Sequence, residues 1–412
     1  MKGTGMRITR RRVIVISSAL VAGALAACGA PSTPSSSTSA AGASGGVPDK
    51  PAKPVVLSIL DVAGNLQLTQ GMIDEFVQKN PDVISKVNYT KAPAPDLVGK
   101  IKVQQGAGRA DIGLVLTGVD GLAAGAEQGL WEQLLPTYAS RLSNMSGYQE
   151  PAAKMQALAG NVGVVVTYYP SGPLVEYMPA KVPNPPTTAD ELLAWAKAHP
   201  GKVEYARPAN SGPGRTFLMG LPYILGDSDP KDPVNGWTKT WAYLTELGTY
   251  VNKYPTGTTQ TMKDLGNGTV DMVASTTGWD INPRVLGTVP AEAKVTTLKG
   301  FHWVTDAHYA VVPKGASADQ KAAVLALVQF MLTKEQQAKA YDEGYFYPGP
   351  AVSGVDLSMA PAKSQQDLKT FGRPEYDALI ADNPKEVPLD AKALVTAFDL
   401  WDRRIGGSKV AK

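Results

Sequence analysis

Cysteine is almost missing from this chain: Cys28 is the one thiol in 412 residues. No disulfide can form within the chain, so apolar burial must hold the fold. A body of more than 300 residues is long enough for that. Histidine is nearly as scarce, with only His199, His302 and His308. Two histidines six apart on an extended segment, without cysteine or glutamate beside them, make a poor metal site. The sequence has no Gly-x-Ser-x-Gly elbow, no His-Glu-x-x-His pair and no Gly-Lys-Ser/Thr phosphate loop. No metal or cofactor is expected. Beyond residue 27 no apolar run is long enough to span a bilayer, and no basic stripe occurs. The formal charge of +3 owes five positive charges and no negative one to the first 27 residues; without them the chain stands at −2. A mildly acidic body of this kind argues against a nucleic-acid partner.

The single thiol has a context. Lys2, Arg7, Arg10, Arg11 and Arg12 form a basic start, and Val13 to Ala24 follow as an apolar run of signal-peptide length. "LAAC", Leu25 to Cys28, resembles the lipobox of bacterial lipoproteins, in which the cysteine is lipidated after cleavage. Residues 1–27 are therefore expected to be a lipoprotein signal peptide and Cys28 the anchor, placing the body outside the cytoplasm on the cell membrane. "TRRRVIV", Thr9 to Val15, fits either a twin-arginine export signal or an ordinary basic start. Residues 28–53 are dominated by Ser, Ala, Gly, Pro and Thr, with Val47 the one large apolar residue. They are expected to be a flexible linker, since such a stretch buries too little to offset its ordering entropy.

From Val55 onward the chain alternates between two periodicities. "VVLSIL" (Val55 to Leu60), "KVNYT" (Lys86 to Thr90) and "DIGLVL" (Asp111 to Leu116) read as strands. Between them, Leu68, Met72, Ile73, Phe76 and Val77 recur at helical spacing, and "DLVGKIKVQQGAG" reads as a helix that stops at glycines. "NVGVVVTYY", the helix "TADELLAWAKAHP" and the strand "KVEYA" continue the rhythm. This predicts an α/β fold of parallel βαβ units in more than one lobe.

"QGMIDEFVQKNPDV", "ADIGLVLTGVDGLAAGAEQGLWEQL", "LGNGTVDMVASTTGWD" and "GFHWVTDAHYAVVPKGASADQKAAVLALVQF" resemble segments of the extracellular solute-binding proteins of ABC importers. The resemblance is greatest toward the spermidine/putrescine-binding branch. It implies a two-lobed, type II periplasmic-binding-protein-like fold, each lobe a mainly parallel sheet flanked by helices, joined by a hinge. Residues 54–160 with 301–344 would form one lobe, and 161–300 with 345–412 the other. It also implies a monomer that takes a small solute into the cleft and hands it to permease subunits, without catalysis.

In such folds ligands sit beyond the carboxyl ends of strands. Asp61 and Asn65 follow the first strand, Thr117 follows the third, and Tyr169 ends a strand at the expected lobe crossing. Ser211 and Arg215 open a helix, where an anionic group fits. Trp279 and Asp280 follow the strand "VDMVAST"; Trp303, Asp306 and Tyr309 lead into "AVVP". An aromatic face beside a carboxylate suits a cation or a sugar. By resemblance, a Trp and an acid receive the body and the amino group of polyamines, although Trp303-x-x-Asp306 is one residue longer than that branch's spacing. The arrangement expected here has Trp279 and Trp303 facing each other across the cleft, with Asp280 or Asp306 at its end. The two acids favour a cationic, polyamine-like solute, with a sugar as the alternative. A secreted glycosidase is the alternative of another class.

Overall fold

The structure, a computed structural model, describes residues 46–62 and 64–410. Cys28 and the signal-like segment lie outside the described residues. The first elements match the sequence rhythm: β1 (Val55–Asp61), α1 (Leu66–Lys79), β2 (Ile84–Lys91), α2 (Ala94–Gly106), β3 (Leu114–Thr117) and α3 (Val119–Glu127). β1 pairs in parallel with both β2 and β3. α1 turns Leu68, Met72, Ile73 and Phe76 inward, and each such side chain contributes about 1.5–3 kcal/mol on burial. It stops at Asn80, whose N–H donates to the Phe76 carbonyl ahead of Pro81.

α4 (Glu150–Leu158) leads into β4 (Gly163–Gly172), and only Pro173 separates that strand from β5 (Leu174–Tyr177). α5 (Ala189–Ala198) begins with a full capping box: the Glu191 N–H donates to Thr188 Oγ1 at 3.1 Å, and the Thr188 N–H returns to the Glu191 carboxylate at 3.2 Å. β6 (Val203–Glu204), α6 (Gly212–Leu225), α7 (Thr238–Tyr250), α8 (Thr258–Gly266), β7 (Met272–Ser275), α9 (Asn282–Val285) and β8 (Lys294–Thr296) come next. The chain then returns through the long β9 (Trp303–Val311) to α10 (Ala318–Met331) and α11 (Lys334–Gln337). α12 (Ala362–Phe371), α13 (Tyr376–Asp382), β10 (Lys385–Glu386) and α14 (Ala391–Trp401) complete it.

These strands form two sheets. One runs β10-β9-β3-β1-β2 with β4 on the other side of β9, and the other runs β6-β7-β5-β8. The chain passes from the first to the second between β4 and β5, and returns between β8 and β9. That is a two-lobed α/β fold with two crossing segments, but its sheets are mixed rather than mainly parallel: β3 and β4 run antiparallel to β9, and β5 runs antiparallel to both β7 and β8. The first sheet packs Leu57, Ile59, Leu114 and Leu116 against α1 and α10. The second packs Val175, Met272 and Ala274 with Leu192, Leu218 and Leu244. The C-terminal portion touches both sides: β10 pairs with β9, α14 packs on α3, and Trp401 meets Tyr205 and Tyr254.

The expected linker ends earlier than residue 53. Val47 is buried with Leu134, Tyr138 and Leu142, and the Arg141 guanidinium donates to the carbonyls of Pro48 (2.9 Å) and Asp49 (3.0 Å). Together with Lys50 on Asp82 and the Ala52 N–H on Asp319 Oδ1 (3.1 Å), these contacts fasten a segment whose composition reads as unstructured.

Candidate functional site

A groove of about 280 Å³ lies where α3, α6 and α8 point their N-terminal ends together, with the β1–α1 loop and Trp279 on its rim. The first N–H groups of a helix have no partner within the helix, and its dipole places partial positive charge there. Gly118, Gly212 and Gly257 bring backbone to the groove wall. Gly212 and Gly257 flank hydroxyls: Ser211, the N-cap of α6, accepts from the Gly214 N–H at 3.1 Å and hydrogen-bonds Thr258 Oγ1 at 2.8 Å. Thr258 and Thr259 line the same wall. Tyr345 and Phe346 join Trp279 to make the opposite side aromatic, with Trp279 edge-on to Tyr345 at 5.4 Å.

The floor is charged. Arg215, in the first turn of α6, donates through Nη2 to Asp306 Oδ2 and places Nη1 3.4 Å from Asp120 Oδ2. The Tyr169 hydroxyl donates to the same Asp306 oxygen at 2.7 Å, and the Ala307 N–H donates to the other at 2.9 Å. Asp306 is thus well satisfied. Asp120 is not: its Oδ1 is buried without a hydrogen-bond partner, as is Arg215 Nε. Burial opposes the Arg215 charge, yet Asp306 and Asp120 hold its pKa above the ordinary value. Burial raises the Asp120 pKa; Arg215 opposes the shift, Asp306 adds to it, and the N–H groups of Gly121 and Asp120 itself give small help to the ionised form. Burial pushes His308 down to about 4, so this groove residue is neutral at pH 7.

β9 explains which expected residues meet here. Its side chains alternate between faces. Asp306 and His308 turn toward Tyr169 and Phe346, while Thr305 and Tyr309 turn toward α4, where the Tyr309 hydroxyl donates to the Met155 carbonyl at 3.1 Å. Trp303 starts the same face as Tyr309. It is fully buried, stands edge-on to Phe301 at 4.8 Å, and donates its indole N–H to the Leu379 carbonyl at 3.0 Å. Trp303 therefore does not face Trp279 across the groove, and Tyr309 is a core residue. Asp280 is also turned away. It is fully buried and paired with Arg373 and Arg284, which tie α9 to the segment after α12.

Ser211, Arg215, Tyr169 and Trp279 do come together on the groove, with Asp306 beneath them. Thr117 is buried beneath α3, where a Cβ on Gly121 would stand 2.0 Å from its hydroxyl; its neighbours Gly118 and Asp120 reach the groove instead. Asp61 and Asn65 organise the β1–α1 turn: the Asn65 N–H donates to the Asp61 carboxylate at 2.9 Å, and Thr69 donates to Asn65 Oδ1 at 2.8 Å. Val62 and Gly64 of that turn line the groove. Sequence reasoning does not single out Asp120, Thr258, Thr259, Tyr345 or Phe346, and it takes up His308 only as a poor metal ligand. For His308 the signal existed, since it stands two residues from Asp306 on a strand. A second cavity, about 340 Å³, lies between α3, α4 and the start of α14. It is lined mainly by apolar side chains, among them Leu122, Ala126, Leu158 and Leu389, and of these two cavities the first groove is the one into which polar groups converge.

Comparison with known proteins agrees with this architecture. The family model described as bacterial extracellular solute-binding protein matches residues 71–370. No curated protein matches the chain. Among solved structures, the periplasmic binding protein AfuA from Actinobacillus pleuropneumoniae, with fructose-6-phosphate bound, is 15% identical; the match covers 85% of this chain and 98% of that one, with a TM-score of 0.60. The spermidine/putrescine ABC transporter substrate-binding protein PotD from Streptococcus pneumoniae is 14% identical, covering 84% and 98%, with a TM-score of 0.55. Iron-bound HitA from Pseudomonas aeruginosa is 18% identical, covering 86% and 100%, with a TM-score of 0.57. At these identities the likeness is one of fold.

Proposed function

Because the chain belongs to the bacterial extracellular solute-binding proteins, we propose that its groove captures a small organic solute and delivers it to the permease of an ABC importer. In this reading the protein is a monomer, held at the outer face of the cell membrane by a lipid on Cys28 and binding without turnover. The lobes follow the two sheets rather than the expected boundaries at 160/161 and 344/345: β4 (Gly163–Gly172) and β10 (Lys385–Glu386) both pair with β9, so the first lobe runs on to Gly172 and takes in β9 and β10. The solute presents an anionic group to the N-termini of α6 and α8, and its body lies against Trp279, Tyr345 and Phe346.

One observation carries the anionic end: two helix N-termini, the hydroxyls of Ser211, Thr258 and Thr259, and a buried Arg215 with an unpartnered Nε all line one small groove. Backbone N–H groups and a helix dipole favour an anion there without further help. A sugar phosphate bound in one fold relative is compatible with such a site. The polyamine reading loses its two carboxylates, since Asp280 and Asp306 are each held by arginines.

A thermal-shift series with fructose-6-phosphate, inorganic phosphate, putrescine and spermidine tests the charge of the solute. A probe at 100 times its dissociation constant stabilises the protein by about 2.7 kcal/mol. Shifts with phosphate-bearing probes alone support the reading, and shifts with the polyamines alone refute it. For the anchor, Cys28→Ala is expected to leave the body folded and move it to the soluble fraction.

A further inference from the structure

We infer that the solute also carries a protonated amino group, and that Asp120 receives it. The inference rests on the groove being the solute site and adds a second charged end to the molecule bound there.

Among the charged side chains that line or floor the groove, Asp120 and Asp306 oppose a single cation, Arg215. Arg215 is already committed. Its Nη2 donates to Asp306, which also takes the Tyr169 hydroxyl and the Ala307 N–H. Asp120 is left with Nη1 at 3.4 Å on one oxygen, beyond a good charge-assisted hydrogen bond, with no hydrogen-bond partner on the other, and with only a small contribution from the N–H groups of Gly121 and Asp120 itself. That second oxygen, Oδ1, belongs to a side chain that is nine-tenths buried and lines the groove. Leaving such an oxygen unpaired is costly, and a buried carboxylate is normally answered by a cation or by donors. His308, the groove's histidine, is neutral at pH 7 and faces Phe346, so it does not supply that charge.

Burial raises the Asp120 pKa and so favours its neutral form in the free protein; a water molecule can give Oδ1 a hydrogen bond but supplies no positive charge to favour the ionised one. A ligand ammonium group gives both. The geometry then sorts the two ends of the solute. The anionic end meets the α6 and α8 N-termini and their hydroxyls, and the cationic end meets Asp120 at the start of α3, with Arg215 between them. A divalent metal fits less well, because no group of three or more metal-ligating side chains occurs among the described residues. The class of solute is therefore a small zwitterion: an amine and a phosphate or carboxylate on one compact body.

The test uses matched probes that differ in one amino group, titrated into the full protein by calorimetry: glucosamine-6-phosphate with glucose-6-phosphate, phosphoethanolamine with ethyl phosphate, and glutamate with glutarate. The amine-bearing member of the best-binding pair is expected to bind about tenfold more tightly or better, the range of a hydrogen bond to a charged group. Asp120→Asn should erase that preference within the pair, and Asp120→Glu, which keeps the charge, should retain part of it. Should Asp120→Asn fail to fold, the wild-type preference and Asp120→Glu still decide. An amine-free member that binds as tightly as its partner, or a preference that survives Asp120→Asn, overturns the inference while leaving the anionic site standing. Binding by no member of any pair removes the anionic site, and this inference with it.

Discussion

Among the described residues, the buried arginine–carboxylate clusters at Asp280 and at Arg215 are built in opposite ways. In the first, Arg373 and Arg284 share Asp280, and their remaining N–H groups reach the carbonyls of Ala293, Phe371 and Asp280 itself. Asp280 is enclosed by two cations, with Glu176 close enough to feel its charge. In the second, one arginine serves two aspartates, and both Arg215 Nε and Asp120 Oδ1 go without partners. Both clusters are buried, so burial does not separate them. Satisfaction does. The Asp280 carboxylate is matched by two arginines and ties α9 to the segment after α12, although Glu176 beside it has neither oxygen hydrogen-bonded; Asp120 has one oxygen without a partner on a side chain that lines a groove, and the proposed solute site rests on that difference.

Breaking the first cluster should have the largest effect. Asp280→Ala strands two buried guanidinium groups and is expected to cost about 3–5 kcal/mol, read from denaturant unfolding. A loss below about 1 kcal/mol would mean that the cluster does not hold the segment after α12 in place. The tryptophans sharpen the same contrast. Trp303→Ala should cost about 3–5 kcal/mol as a core cavity. Trp279→Ala, on the groove rim, should lower unfolding free energy little and weaken solute binding about tenfold, from the ring contact alone. Equal stability losses for the two would erase the distinction between core and rim.

A smaller effect concerns Glu176, buried beside the first cluster with neither oxygen hydrogen-bonded. Burial, and then the charge of Asp280, push its pKa from 4.5 up to about 8. The folded chain then holds a proton that the unfolded chain has released, so stability falls as pH rises from about 4.5 toward 8. Glu204, pushed up to about 8 chiefly by burial, contributes with the same sign. Glu176→Gln should flatten part of that slope and raise stability at pH 8 by about 1 kcal/mol or more. An unchanged slope would show that Glu176 is ionised in the folded chain.

Much of the fold was legible because it is written in local periodicity. The βαβ rhythm through α3, which ends at Glu127, the capped start of α5 at Thr188 and the crossing near Tyr169 all depend on neighbours within a few residues. The candidate site is assembled differently. Ser211 meets Thr258 across 47 positions and Arg215 meets Asp306 across 91, and no period predicts such encounters. An acid in the first turn of a helix, as Asp120 is, reads as ordinary helix-start chemistry until an arginine is found beside it. Trp303 is a different case. It stands three positions from Asp306 on one strand, and an odd spacing on a strand puts two side chains on opposite faces. A separation read as a departure from a familiar motif was already a statement of geometry.

The central claim is that the unsatisfied cluster is where the solute binds. The most direct measurement is a crystal structure of the protein with whichever probe stabilises it most. The account expects that probe in the groove, its anionic group within hydrogen-bond distance of the α6 and α8 N-termini and its amine on Asp120 Oδ1. A probe seated in the apolar cavity behind α3, with Asp120 and Arg215 as before, would contradict it.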